Sequence, residues 1–79
     1  MDKSMKEFVE YMAKSLVDQP EKVYVNEIRS SQAIVFELHV APDDVGRVIG
    51  KGGRVANAMR TLLKVAALRE GKRVSLEIA

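Results

Sequence analysis

The segment from Val45 to Arg54 combines four glycines with three basic residues. At its centre, Gly50–Gly53 interrupts sequence whose apolar residues recur at helical spacing on both sides. Glycine adopts backbone conformations with positive φ and lets another chain approach closely. The first N–H groups of a following helix favour anions, and Lys51 adds a mobile positive charge. The segment therefore predicts a loop between two helices that binds phosphate groups.

Two nucleotide-binding motifs compete for these glycines, and neither fits. In a P-loop, Gly46 and Gly50 would be one residue too close, and Gly52 stands where a hydroxyl residue should bind magnesium. In a dinucleotide fingerprint, Val55 occupies the position of the last glycine. Both motifs also follow a strand, whereas this loop follows a predicted helix. The sequence thus argues against nucleotide binding.

Three helices and three strands are predicted around the loop. Helical periodicity covers 4–17, a short stretch after Pro42, and 54–69, while β-forming residues and alternation cover 23–29, 33–40 and 74–78. The short link between the first two strands predicts an antiparallel hairpin. The helical crossover between the last two predicts that they are parallel. The result is a two-layer α+β domain, α-β-β-α-α-β, with a three-stranded mixed sheet and three helices on one face.

Apolar periodicity also predicts the core. The expected inward residues of the first helix are Met5, Phe8, Val9, Met12 and Leu16; those of the third helix are Val55, Met59, Leu62, Leu63 and Ala66. Ser4 and Glu7 match a capping box at the start of the first helix, with Asp2 as a competing cap. Asp43 and Asp44 suit the start of the second helix as caps.

Composition narrows the function classes. The chain has no cysteine, which excludes disulfides and thiol catalysis and favours a reducing cytoplasmic location. No apolar run approaches the length of a membrane span, about 20 residues, so membrane insertion is not expected. The net charge is −2 over residues 1–40 and +4 over 41–79, so the second half is the candidate surface for an anionic partner.

Catalytic and metal sites are not predicted. His39 is the single histidine, and it points away from the core-facing residues of its strand. Asp43 and Asp44 are adjacent, so their side chains diverge rather than form a catalytic pair. No nucleophile is accompanied by a base. The chain is therefore predicted to be a non-enzymatic protein without a metal or a cofactor.

The loop also carries a family resemblance. A G-x-x-G loop between two helices is how KH domains bind about four nucleotides of RNA backbone. Residues 45–53 resemble the KH signature V-x-x-x-I-G-x-x-G, apolar positions included. Residues 33–79 resemble the KH core, and 1–32 the N-terminal helix and strand of type II KH domains. The whole chain, as one domain, is similar to the small bacterial single-KH proteins of the KhpA family.

The resemblance implies which residues contact RNA. The implied backbone-binding residues are Arg47, Gly50, Lys51, Gly52, Gly53, Arg54 and Asn57, and the implied groove residues are Gly46, Val48 and Ile49. Val48 and Ile49 are equally suited to the core. Thr61 and Lys64 share the polar face of Arg54 and Asn57, Arg60 is left undecided, and Lys72 and Arg73 border the far wall of the groove.

The four aromatic residues all precede residue 37, outside the basic half. Base stacking on aromatic rings is therefore not expected to dominate, in contrast to sheet-based RNA readers. Binding is expected to depend on phosphate contacts, with strong salt dependence and modest sequence preference.

The resemblance further implies a biological setting. It implies that the chain forms homodimers, or heterodimers with the larger KH protein KhpB (also called Jag or EloR). It implies an RNA chaperone or post-transcriptional regulator linked to cell elongation and peptidoglycan control. Two alternatives stay open: a protein-interaction or dimerisation module that retains the KH fold, and a binder of single-stranded DNA.

Overall fold

The helices and strands follow one another in the predicted order. A computed structural model describes the backbone of residues 3–79 and the side chains from residue 5 onward. The elements are α1 (Lys3–Leu16), β1 (Tyr24–Arg29), β2 (Ala33–His39), α2 (Val45–Ile49), α3 (Arg54–Leu68) and β3 (Arg73–Ile78). The bounds of α1, α3 and the three strands lie within one residue of their predictions, whereas α2 begins only at Val45, after a 3-10 turn over Pro42–Asp44. The predicted cap at Asp2 or Ser4 lies outside the described side chains.

The three strands form one mixed sheet in the order β1-β2-β3. β1 and β2 are antiparallel, with Val25 opposite Leu38, and β2 and β3 are parallel, with Phe36 beside Leu76. Both pairings are confirmed. The hairpin link of residues 30–32 is too short for anything but an antiparallel return, and the α2–α3 crossover brings the chain back in the direction of β2.

α1 and α3 cover the same face of this sheet. Alternate residues of β2 are fully buried, and they share one apolar cluster with α1, α3, Val48 of α2 and Leu76 of β3. The fold class, α+β with a three-stranded sheet and three helices, is confirmed. The other face of the sheet is open, and there His39 stacks on Tyr24 with ring centroids 4.3 Å apart.

The helices bury narrower stripes than their periodicity predicts. α1 buries Met5, Val9 and Ala13, and α3 buries Ala56, Met59, Leu63 and Ala67. The inward prediction is wrong for Phe8, Leu16 and Leu62, which are 36%, 39% and 49% exposed. On a sheet of only three strands, two helices that lie side by side can each pack on the sheet through only one row of residues. The apolar flanks between α1 and α3 therefore stay accessible.

Candidate nucleic-acid interface

Gly50 ends α2 in a conformation that suits glycine alone. Its φ is 76° and its ψ 171°, and its N–H donates to the carbonyl oxygen of Gly46 at 2.9 Å. A Cβ placed there would lie 2.5 Å from Cγ2 of Val55 and 2.9 Å from the Val55 backbone nitrogen. Gly50 therefore lets the end of α2 approach the first turn of α3, and this contact fixes the loop between them.

Gly52 and Gly53 form the open tip of the loop. Both are left-handed, with φ of 63° and 79°, inside a 3-10 turn over Lys51–Gly53. A Cβ on Gly52 would meet nothing within 4 Å, so solvent reaches the backbone there. α3 begins at Arg54 with Gly53 before it and no side chain capping its first N–H groups. The predicted loop between two helices is confirmed.

The positive charge of the loop belongs mainly to Lys51 and Arg54. Both are exposed, and no carboxylate of residues 5–79 forms an ion pair with either of them. Asn57, one turn further along α3, is also exposed and accepts a hydrogen bond from Nη1 of Arg60 at 3.3 Å. An anion at the loop would therefore meet two cations and an amide.

Arg47 lies in a different environment. Its Nη2 donates to Oδ2 of Asp18 at 2.9 Å, and its Nε lies 3.4 Å from Oδ1 of Asp44. Two carboxylates already lie beside this guanidinium, which weakens its attraction for a phosphate. The role of Arg47 in phosphate binding stays a prediction.

Asp44 fastens the end of α1 to the start of α2. It is only 1% exposed, and its two oxygens accept the backbone N–H groups of Asp18 and Gln19, each at 3.1 Å. It makes no capping hydrogen bond to its own helix, so the predicted cap is wrong. The cap was predicted from neighbours in sequence alone, whereas the N–H groups that donate to Asp44 lie about 25 residues earlier. Asp44 therefore positions α2 and, through it, the loop.

The predicted groove residues of α2 divide into exposed and buried. Gly46 is exposed, with nothing within 4 Å of a Cβ placed there, and Ile49 is 37% exposed. Val48 is fully buried in the core cluster. Of the two roles left open for Val48, core packing is the one that the structure shows.

A groove runs between α3 and the outer edge of β3. Its first part, about 210 Å³, is lined by Arg60, Leu63, Lys64, Val74, Ser75 and Leu76. Its second part, about 480 Å³, is lined by Lys64, Ala67, Leu68, Lys72, Arg73 and Val74. Lys64 and Val74 belong to both parts, so the groove is continuous, and its floor is apolar between basic walls. Lys72 and Arg73 border it as predicted.

Arg60 crosses the first part of the groove, and sequence analysis left its role undecided. Its Nε and Nη2 both donate to the carbonyl oxygen of Leu76, at 3.2 and 3.1 Å. Its position three residues from Asn57 and four from Lys64 places it on their flank of α3. Helical spacing could have placed Arg60 at the groove, but it could not have predicted the hydrogen bonds from Arg60 to β3.

A second groove, apolar and about 490 Å³, separates α1 from α3. It is lined by Tyr11, Met12, Ser15, Leu16, Arg54, Val55, Ala58, Met59 and Leu62. Helical periodicity assigned these apolar flanks to the core and therefore gave no indication of this groove. Tyr11 is 70% exposed at its rim.

Membrane-spanning helices and metal-binding clusters are both absent from residues 3–79. None of the helices there combines the length and the apolar character needed to cross a membrane. Within the same residues, no three His, Cys, Asp or Glu side chains are grouped so that they could bind a metal ion.

Comparisons with known proteins decide the family. A model of the KhpA/KhpB KH domain matches residues 6–78. The chain belongs to the KhpA/KhpB family of KH domains. The RNA-binding protein KhpA of Clostridium perfringens is 57% identical over 74 residues, which are 94% of this chain and 99% of that protein. KhpA of Caldanaerobacter subterraneus subsp. tengcongensis is 60% identical over the same shares. KhpA of Chlamydia trachomatis is 50% identical, over 94% of this chain and 95% of that protein.

Family membership gives the geometry its context. In a KH domain the G-x-x-G loop contacts the nucleic-acid backbone, and here this loop is Gly50–Gly53. The KH domain is a binding fold without catalytic chemistry, so the chain is not an enzyme. The resemblance stated from the sequence is confirmed.

Proposed function

We propose that this KH domain binds single-stranded RNA, with the sugar-phosphate backbone lying over the Gly50–Gly53 loop. One observation carries the proposal: the loop is open at Gly52, and Lys51 and Arg54 beside it have no carboxylate partner among residues 5–79. The bases then enter the groove along α3 and β3. Lys64, Lys72 and Arg73 supply further positive charge along that path.

RNA is proposed rather than single-stranded DNA on the strength of the relatives. The relatives in three bacteria are each named RNA-binding protein KhpA. The loop itself contacts phosphates, which the two polymers share. Discrimination between them requires a contact to the 2′-hydroxyl, so a matched DNA strand belongs in the experiment.

RNA binding should be salt-dependent because it displaces counterions from the phosphates. With two or three cations engaged, affinity for a labelled mixed-sequence RNA should fall about tenfold between about 50 and 200 mM salt. Fluorescence anisotropy measures this directly, with DNA of the same sequence as the comparison. Salt-independent binding, or none by the wild type at high protein concentration, would contradict the phosphate contacts.

The cellular role proposed here is that of an RNA chaperone or post-transcriptional regulator in the cytoplasm. It acts with KhpB and is linked to cell elongation and peptidoglycan control. The support is the family, whose model covers KhpA and KhpB together. One KH groove reads few nucleotides, so a second KH module on the same RNA would raise affinity by about 10²–10⁴.

The apolar groove between α1 and α3 favours a second function, dimerisation. Tyr11, Leu16 and Leu62 are all more than one-third exposed there. Contiguous apolar side chains exposed on a folded domain are a common feature of protein contacts. We propose that the partner is another KH chain, either a second copy of this one or KhpB.

Leu62→Asp should therefore convert a dimer into a monomer, since the charge would enter the apolar contact. Sedimentation velocity measures the change. Thr61→Asp is the matched control, because Thr61 is exposed on α3 but does not line the groove. If the two variants sediment alike, or if the wild type is a monomer alone and with KhpB, this surface is not the dimer contact.

A further inference from the structure

The outer edge of β3 presents backbone groups to the groove. The N–H of Arg73 donates to Gln32 and that of Ala79 to Leu38, both on the β2 side. In a parallel ladder, the N–H and C=O of one residue point to the same side, and the next residue points to the other. Val74 and Leu76 therefore direct both groups outward, and no strand of residues 3–79 lies beyond β3.

Leu76 offers its N–H and C=O side by side, which suits the edge of a base. Val74 lies two residues away, about 6–7 Å along the strand, too far for one base to reach both. An adjacent donor and acceptor can form hydrogen bonds with a base that carries an exocyclic amine or with one that carries an exocyclic oxygen. By itself, the backbone of Leu76 would therefore not discriminate between these two kinds of base.

Arg60 removes the acceptor of this pair. Its guanidinium donates twice to the Leu76 carbonyl, at 3.2 and 3.1 Å, and once to Oδ1 of Asn57, at 3.3 Å. Three of its five N–H groups are thus engaged, which holds the planar group across the groove. The remaining guanidinium N–H groups and the Leu76 N–H are all donors.

We propose that Arg60 sets the base preference of the groove by occupying the Leu76 carbonyl, so that uracil and guanine are favoured over adenine. This inference depends on the RNA-binding function proposed above. A site that presents donors matches the carbonyl oxygens of uracil and guanine. The exocyclic amine of adenine would find its acceptor already occupied and would lie beside a cation. A donor left unpaired in a desolvated site lowers affinity.

The test compares oligouridylate with oligoadenylate of equal length, bound to the wild type, Arg60→Met and Lys64→Met. Lys64 lines the same groove and carries the same charge, but it has no hydrogen bond to β3. The measured quantity is the ratio of the two dissociation constants. The intrinsic stacking of oligoadenylate contributes equally for every variant and cancels when ratios are compared.

The wild type should bind oligouridylate more tightly than oligoadenylate. Arg60→Met should shift the ratio about tenfold toward oligoadenylate, as one regained hydrogen bond implies. Lys64→Met should weaken both oligonucleotides equally. Arg60→Lys keeps the charge without the planar fork, so it should shift the ratio in the same direction with less loss of affinity. If Arg60→Met unfolds at too low a temperature for the binding measurement, Arg60→Lys provides the test in its place.

An unchanged ratio in both Arg60 variants, with binding that still depends on the Gly50–Gly53 loop, would overturn the role of Arg60 and leave RNA binding intact. Binding of neither oligonucleotide by the wild type would overturn the RNA-binding proposal and this inference together. A wild-type preference for oligoadenylate would also overturn the inference.

Discussion

Lys51→Asp combined with Gly52→Asp should weaken RNA binding at least about 100-fold, which corresponds to about 2.7 kcal/mol. The change replaces the exposed cation and the neutral tip of the loop with two carboxylates, which repel phosphates. The fold should survive. A Cβ on Gly52 meets nothing within 4 Å, and Asp tolerates a φ of 63° better than most residues.

The matched control is Lys22→Asp combined with Asn26→Asp, which changes the net charge by the same amount. Lys22 and Asn26 are exposed, and both lie toward β1, at the opposite edge of the sheet from the groove. Anisotropy with a mixed-sequence RNA and far-UV circular dichroism are measured on both variants. The loop assignment fails if the loop variant still binds, or if the two variants lose affinity equally.

Most of the fold could be predicted because its signals are local. Alternation in Ile34, Phe36 and Leu38 specifies which face of β2 is buried, and all three are fully buried. A three-residue link and a two-helix crossover each permit essentially one strand direction. The prediction was wrong about the width of the apolar stripe that each helix buries. Periodicity shows that Leu62 lies near the core side of α3, but not that a three-stranded sheet leaves that flank uncovered.

The loop was predictable for the same reason. Three glycines within four residues have few uses between two helices, and glycine is the residue type that readily adopts the positive φ values found there. Long-range polar contacts gave no such signal. Arg47 and Asp18 are 29 residues apart, and Arg60 and Leu76 are 16 apart. Each pairing exists only because the fold brings distant segments together. The family resemblance therefore assigned Arg47 to the RNA backbone without its carboxylate partners, and helical spacing left Arg60 undecided.

Asp44→Ala should lower the free energy of unfolding by about 1.5–3 kcal/mol, the range for a hydrogen bond to a charged group. Asp44 is 1% exposed and accepts the N–H groups of Asp18 and Gln19. Alanine would leave both donors without that acceptor and would remove one of the two carboxylates that pair with Arg47. Urea denaturation followed by far-UV circular dichroism measures the change.

Asp43→Ala is the control for this experiment, because Asp43 is the adjacent carboxylate and is exposed. Its effect should stay within about 0.5 kcal/mol, as for most surface substitutions. Equal effects of the two variants would show that Asp44 does not fasten α1 to α2. A larger effect at Asp44 would instead explain how a five-residue helix holds the loop in place. A helix this short has little stability of its own, so the position of Gly50–Gly53 must come from tertiary contacts at both ends of α2.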